Sequence, residues 1–282
     1  MAGTQAPAYG LARQRVWESS EPLTASAVRD IIEAVRYWPL WGRMGWQDIE
    51  LRYRRSILGP FWLTLSMGVM IGTMGLLYSQ LFRTETTIYL PFVTLGLLIW
   101  GLISSTIIDG CQTYIQSESL LRQVALPTVI FPLRVIWRNL IVFCHNFVVY
   151  LVVAVIFDLQ PGWIALLSVL GLVLTLLNGV WLAILLGMLS ARFRDIPQII
   201  GSIVQVLFFV SPIIWLPELV HGRPFIVDFN PIFHFIEVIR APLLGKAPSA
   251  LSWMVVLGTT VLGWIVAFLF HRRFHTRIAY WV

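Results

Sequence analysis

The chain has 282 residues, of which 58% are hydrophobic and only 12% are charged. Soluble domains carry about 25% charged residues, so this composition disfavours a globular cytosolic enzyme and indicates a protein whose solvent is a bilayer. The formal charge of +6 does not indicate a nucleic-acid partner, because the basic residues flank apolar runs, where they orient a chain in a membrane.

The N-terminal region is predicted to have two parts. Residues 1–25, with scattered Pro, Gly, Ser and Thr, are predicted to be a flexible segment. Residues 26–56 are predicted to form a cytoplasmic amphipathic helix and a basic junction, and the helix can lie on the inner leaflet or dock on a partner helix. Its apolar residues are Val28, Ile31, Ile32 and Val35, followed by the interfacial aromatics Tyr37, Trp38, Trp41 and Trp46. The first 55 residues lack an apolar stretch of signal-core length, so we expect the N-terminus to stay in the cytoplasm.

A dense basic cluster lies directly before the first long apolar segment. From Leu51 to Trp62 the chain reads Leu-Arg-Tyr-Arg-Arg-Ser-Ile-Leu-Gly-Pro-Phe-Trp. Such a cluster beside aromatic side chains fixes a membrane boundary and its sidedness. The residues that we assign to this junction are Arg52, Tyr53, Arg54, Arg55, Gly59, Pro60 and Trp62.

Residues 57–282 are predicted to be a six-span, all-α membrane domain. A crossing helix needs about 20 mainly apolar residues. The stretches that qualify are Ile57–Phe82, Ile88–Gly110, Val129–Phe157, Trp163–Ser190, Ile196–Leu216 and Ala250–Phe270. Short outer hinges at Arg83–Thr87 and Asp158–Gly162 would join neighbouring spans as helical hairpins.

The inner loop 111–128 is predicted to carry a short helix from Ser117 to Val124, stopped by Pro127. Glu118 and Arg122 stand four residues apart and can pair on one face of such a helix. The residues alone leave two interpretations open: a solvated connector, or an amphipathic peg for a cytoplasmic partner.

The region 217–249, between the fifth and sixth spans, is predicted to hold a short outer helix. Asn230-Pro231 is a helix start, because Asn can cap free amides and Pro is tolerated at the first helical position. Leu244-Gly245 is the matching stop. The helix between them has about 15 residues, which is too short to cross, so a re-entrant or interfacial helix is predicted.

The distribution of basic residues supports this count of crossings. Sixteen of the 20 Lys and Arg residues fall on one side of the six-span plan, and the other side keeps Arg83, Arg223, Arg240 and Lys246. The positive-inside rule therefore places the first side, with both termini, in the cytoplasm. A seventh crossing by the short helix would put the basic C-terminal tail outside, so we reject it.

Two further groups have a packing and a functional interpretation. On the outer helix His234, Glu237 and Arg240 follow at three-residue steps, so Glu237 and Arg240 can pair, or the stripe can face an aqueous exit.

Aromatic rings can stack on sugars, although membrane packing is their commoner role. The aromatic residues considered as channel lining are Trp62, Tyr78, Trp100, Trp181 and Trp215.

The sequence carries no recognisable catalytic or metal-binding motif. It has no Gly-rich phosphate loop and no His-Glu-x-x-His, and its two cysteines, Cys111 and Cys144, do not form a CxxC pair. No acid lies in the middle of a predicted span, which disfavours proton or sodium coupling. His145 and Asn146, inside the third span, are interpreted as packing residues. ATP, if it powers this protein, must therefore bind to another polypeptide.

Four segments occur in chain order over residues 26–282. They are 52–62; Arg122-Gln-Val-Ala-Leu-Pro127 with Phe131-Pro-Leu133; Arg192-Phe-Arg-Asp-Ile196 running to Ser211-Pro-Ile213; and Asn230-Pro-Ile232 through Arg240. Together with the six-span plan they resemble the permease subunit of polysaccharide-exporting type-2 ABC transporters, the group that includes O-antigen, capsule and teichoic-acid permeases. One departure is that Lys246 is the only lysine, whereas inner loops of that family usually carry both basic residue types.

This resemblance implies a homodimer with two copies of a separate ATP-binding subunit, which would hold ATP and Mg, so no cofactor is expected on this chain. It implies a multi-pass protein of the bacterial plasma (inner) membrane that exports a lipid-linked polysaccharide. A permease for a small hydrophobic compound and a non-transport membrane assembly factor are the alternatives. The junction would help to form the entrance gate, and the outer helix, with His234, Glu237 and Arg240, would belong to the outer rim. The residues implied in ATPase coupling are Ser117, Glu118, Ser119, Leu120 and Arg122.

Overall fold

The computed structural model of the chain describes residues 23–54, 59, 61–219 and 225–282, and all regular secondary structure in these ranges is helical. Most of the predicted flexible segment, Arg55 and Pro60 of the junction, and Arg223 lie outside the described residues. The helices of the N-terminal half are α1 (Leu23–Arg36), α2 (Trp38–Tyr53), α3 (Phe61–Leu81), α4 (Thr86–Gln112), α5 (Glu118–Gln123) and α6 (Ile130–Ile156). Those of the C-terminal half are α7 (Leu166–Arg192), α8 (Ile196–Val210), α9 (Phe225–Asp228), α10 (Pro231–Leu243), α11 (Ala250–Phe274) and α12 (Ile278–Trp281).

Five of the described helices are long and apolar enough to cross a membrane. They are α3, α4, α6, α7 with the 3₁₀ turn before it, and α11 with the residues up to Trp281. Each coincides with a predicted span to within a few residues at most ends. The two predicted hinges are tight, and Arg83 and Asp158 adopt positive φ angles of 53° and 49° there.

The fifth predicted span is shorter than expected. Its helix, α8, ends at Val210 instead of Leu216 and has 15 residues. The reason is Pro212, which disfavours helical geometry at Ser211, and Ser211 is extended with φ −86° and ψ 144°. The chain then runs against α4 so closely that a Cβ on Gly96 would lie 2.6 Å from the carbonyl oxygen of Ile213.

Helix α4 forms the centre of the bundle. It packs against α3, α6, α7, α8 and α10, and its side chains are buried almost continuously from Tyr89 to Ile103. The other four long helices expose large apolar side chains on their outer faces, such as Val155 and Leu262. These exposed apolar faces are typical of helices that meet lipid, whereas α4 is enclosed by protein.

The predicted amphipathic helix is two helices, with a break at Tyr37. Helix α1 packs on α11 and buries Ala27 and Ala34, whereas α2 packs on α6. Val28, Ile32 and Val35 are exposed. Ile31, the fourth residue of the predicted apolar side, is half-buried and packs against a buried cluster of the chain, so only Val28, Ile32 and Val35 remain open for an inner leaflet or a partner helix.

The predicted start and stop of the short outer helix are confirmed. The Asn230 side chain accepts hydrogen bonds from the backbone amides of Ile232 and Phe233, and Gly245 follows the helix with φ +77°. Helix α10 has 13 residues, against the 15 expected, and packs against α4, α7 and α11. Both ends are therefore fixed by local sequence, while its sides are buried in the bundle.

Candidate coupling face and its buried ion pairs

The predicted inner-loop helix is present as α5, and it displays a charged pair. Arg122 Nη2 lies 2.9 Å from Glu118 Oε1, and the two side chains are 57% and 42% exposed. Ser119 is also exposed, whereas Ser117, before the helix, is buried. A pair this accessible contributes little to stability, so its atoms are available to another surface.

Helix α5 is nevertheless held firmly on the chain. Leu120 and Leu121 pack against a buried apolar cluster that includes Ile184, Met188 and Val282. The guanidinium of Arg122 also donates a hydrogen bond to the backbone carbonyl of Val282. Helix α5 is therefore connected by packing and a hydrogen bond to the end of α7 and to Val282.

Asp30 of α1 organises a second cluster beside this face. Its carboxylate accepts hydrogen bonds from the Thr128 amide and hydroxyl, both at 2.8 Å, and from the Val129 amide at 3.3 Å. His271 Nε2 lies 3.2 Å from Asp30 Oδ2, although it is not aligned as a hydrogen bond. Burial opposes ionisation of Asp30, but His271 and the Thr128 donors outweigh it and hold the pKa of this carboxyl below its ordinary value. Asp30 thus joins α1 to the start of α6 and the end of α11.

Four charged side chains form a network that joins α2, α6 and α4. Arg134 binds Asp48 through two nitrogens, with Nε 2.8 Å from Oδ2. Arg138 lies between two acids, with Nη1 3.4 Å from Asp48 Oδ2 and Nη2 2.8 Å from Asp109 Oδ2. The Arg138 side chain is only 11% exposed. We call Asp48, Arg134, Arg138 and Asp109 the arginine network.

The opposite end of the molecule has its own buried cation. Arg240 is 2% exposed, and it donates to the Pro212 carbonyl at 2.9 Å and to Glu237 Oε2 at 3.2 Å. Its guanidinium carbon lies 4.0 Å from the centre of the Phe92 ring. His234 is buried as well, with Nδ1 2.9 Å from the Ser252 hydroxyl. The expected Glu237–Arg240 pair is therefore present, and the His234 and Arg240 side chains are enclosed within the chain.

Comparison with known proteins identifies the family. Residues 39–244 match the family described as ABC-2 type transporter. The chain is 23% identical over 251 residues to an O-antigen export system permease protein of Myxococcus xanthus, covering 87% of this chain and 96% of that protein. It is 20% identical over 195 residues to the protein of the same name from Klebsiella pneumoniae, covering 67% of this chain and 74% of that one. The chain belongs to the ABC-2 type transporter family. It is a multi-pass membrane permease similar to O-antigen export permeases, which confirms the resemblance found in its sequence.

In this ABC-2 permease the predicted junction is described only in part. Arg52, Arg54 and Trp62 are exposed, and Gly59 has a φ of +53°, a conformation that glycine adopts without strain. Of Tyr53 the structure describes the backbone alone. The two described arginines therefore stand at the surface where α2 leads into α3.

The aromatic residues considered as channel lining are distributed over several contacts of the permease. Trp100 is 8% exposed and packs on Phe208, whose ring centre is 5.8 Å away. Trp181 Nε1 donates to the Asn178 side chain at 2.8 Å, and Trp215 Nε1 donates to a backbone carbonyl of α8. Tyr78 stacks on a neighbouring ring of its own segment. Tyr78, Trp100, Trp181 and Trp215 therefore each have a different neighbour within the chain, and a lining role for them stays a prediction.

The arginine network and the Asp30 cluster are not predicted by the sequence patterns. Arg134 and Arg138 count there among the charges that orient the chain, although both lie within the predicted span Val129–Phe157. Two arginines four residues apart inside an apolar helix require acidic partners, since a charge in such a segment is costly without one. That requirement was the available signal, and Asp109, at the end of the preceding predicted span, was an acid on the same side of the predicted membrane domain that could meet it.

Proposed function

We propose that this chain is the permease subunit of an ATP-driven exporter that moves a lipid-linked polysaccharide, of the O-antigen, capsule or teichoic-acid type, from the cytoplasm across the plasma membrane. The observation that carries this proposal is the match to an O-antigen export permease over 96% of that protein's length. A match of that extent includes both the membrane helices and the loops between them.

The geometry of α5 supports contact with an ATP-binding partner. Glu118 and Arg122 are exposed, while the leucine side of the helix is fixed to the bundle. Helix α5 follows α4 after a turn of five residues, and Asp109, near the end of α4, belongs to the arginine network. A displacement of α5 by the partner would therefore be transmitted to α4 and, through the ion pairs of Arg138, to α6 and α2.

We further propose that α8 and the apolar residues up to Leu216 make a sixth crossing, with both termini in the cytoplasm. Two copies of the permease would assemble with two copies of an ATP-binding subunit, which would hold ATP and Mg. The translocation path would then lie between the two permease copies.

The decisive experiment is deletion of the gene in its host, followed by analysis of lipid-linked glycans. We expect glycan to accumulate on the cytoplasmic side, and the full chain, supplied on a plasmid with its ATPase, to restore export. An ATP-binding protein should also co-purify with the tagged permease. Normal surface glycan in the deletion strain, together with sensitivity to a hydrophobic compound, would instead support a drug exporter.

A further inference from the structure

Helices α3 and α6 leave an open apolar groove between them. Its volume is about 690 Å³, and its walls include Phe61, Leu65 and Val69 of α3 and Val148 and Val152 of α6. Gly72 also lines the groove, and a Cβ added there would meet no atom within 4 Å, so a larger side chain at this position would enter open space. An unbranched hydrocarbon chain could lie along these walls.

The length of the groove matches one leaflet of a bilayer. From Phe61 to Gly72 a helix rises about 16 Å, at 1.5 Å per residue. Half of a hydrocarbon core of roughly 30 Å is about 15 Å. The groove begins at the end of α3 that follows the basic junction, so the leaflet concerned is the one next to α2.

A second cavity, of about 730 Å³, adjoins the same end of the groove, and its largely apolar wall includes several polar and charged side chains. Glu50, Arg54 and His145 help to line it. It meets the groove at Thr64, whose hydroxyl donates to the His145 carbonyl at 3.2 Å. Glu50 and Arg54 are exposed, and Arg54 has no ion pair within the described ranges. One cation and one anion therefore lie where a headgroup would emerge from the groove.

We propose that the two cavities form one binding site for a bilayer phospholipid. One acyl chain lies in the groove, the phosphate binds Arg54, and an amine in the headgroup faces Glu50. A zwitterionic phosphoethanolamine lipid matches this pair of charges better than an anionic phosphoglycerol lipid, because the anionic headgroup offers nothing to the carboxylate of Glu50. The site requires only that the chain spans a membrane, so it does not depend on the exported substrate.

The test uses the full chain purified with its partner subunit in detergent micelles, with native mass spectrometry as the readout. Phosphatidylethanolamine and phosphatidylglycerol are added as probes in equal amounts. Wild type should retain phosphatidylethanolamine preferentially. Gly72→Leu, which fills the groove, and Arg54→Gln should each lower its retention roughly tenfold. Glu50→Gln should abolish the preference between the two lipids.

Gly258→Leu is the matched control, because Gly258 also lies in a long apolar helix, α11, and a Cβ there would also meet no atom within 4 Å; Gly258 is exposed, whereas Gly72 is half-buried. This variant should retain lipid as wild type does. Equal retention in Gly72→Leu and Gly258→Leu would overturn the proposal. If Gly72→Leu fails to fold, Val152→Phe replaces it, with the same expected loss.

Two other occupants of the groove would also overturn the proposal. Retention of a polyisoprenoid phosphate in place of a phospholipid would assign the groove to a lipid carrier. A second copy of the chain would give a cross-link between Val69→Cys residues of two chains in a Cys144→Ser background, since Cys144 is the exposed native thiol. Absence of both, with phospholipid bound, is the result that we expect.

Discussion

Two sets of ion pairs stand at the same end of the permease and differ in their exposure. The Glu118–Arg122 pair of α5 is open to solvent, whereas Arg138 is 11% exposed and lies between two acids. Exposed pairs are worth about 0–1 kcal/mol, but removal of one partner of a buried pair costs about 3–5 kcal/mol, since a charge is left without compensation. Similar chemistry therefore has two roles: the buried set holds three helices together, and the exposed set can meet a partner.

The largest effect is expected from Arg138→Ala. It leaves Asp109 without a partner and takes one of two cations from Asp48, so the free energy of unfolding should fall by about 3 kcal/mol. Equilibrium unfolding in mixed detergent micelles measures this change. Arg272→Ala, at an exposed position with no ion pair in the described part of the chain, is the control and should change stability by less than about 0.5 kcal/mol. Equal effects of the two variants would contradict a structural role for the arginine network.

The buried cation at the other end should give the next effect. Arg240→Ala removes a donor to the Pro212 carbonyl, the partner of Glu237 and a contact with the Phe92 ring, so a loss of about 2–3 kcal/mol is expected. The same unfolding measurement applies. Lys246→Ala, at an exposed position nearby, is the control. Full stability of Arg240→Lys would show that charge alone suffices and that the planar guanidinium is not needed.

Asp30 should make stability depend on pH. Because its pKa is lowered on folding, its contribution is complete above the ordinary carboxyl pKa near 4 and is lost as the pH falls through the lower folded value. Asp30→Asn should cost about 1.5–3 kcal/mol at neutral pH, since charged hydrogen bonds become neutral ones, and should unfold with less dependence on pH below about 4. A wild-type acid transition that Asp30→Asn leaves unchanged would contradict this assignment.

The parts of the fold that the sequence predicted are those that depend on local pattern. Long apolar runs predict α3, α4, α6, α7 and α11, and the Asn230-Pro231 and Gly245 signals predict both ends of α10. The structure differs from the prediction in two places, the early end of α8 and the break between α1 and α2. Both differences have local causes that are visible in the sequence. Pro212 shortens α8, and Pro39, at the second position of α2, marks a new helix after the break at Tyr37.

The candidate site was predictable only where its residues are close in sequence. Glu118 and Arg122 are separated by four residues, so helical periodicity pairs them. Asp48 and Arg138 are 90 residues apart, and Asp30 and Thr128 are 98 apart. From the sequence alone, any of several acids could be the ion-pair partner of Arg138. Asp48 and Asp109 are its partners because α2 and α4 pack against α6. Long-range pairing of this kind depends on tertiary structure, which periodicity does not contain.

The smallest change in stability, and the sharpest contrast with the arginine network, is expected from the double variant Glu118→Ala with Arg122→Ala. The pair itself is exposed and contributes little, and the main loss is the Arg122 hydrogen bond to the Val282 carbonyl, so the free energy of unfolding should fall by only about 1 kcal/mol. If α5 is the contact for the ATP-binding subunit, the same variant should nevertheless lose export while the partner continues to hydrolyse ATP. Export and ATPase rates measured together in proteoliposomes check this. Ser202→Ala, at an exposed site on α8, should leave both rates at the wild-type level. Undiminished export by the double variant would contradict this contact. The ATP-binding subunit would then act on another surface of the permease, and the arginine network would be connected to it through residues other than α5.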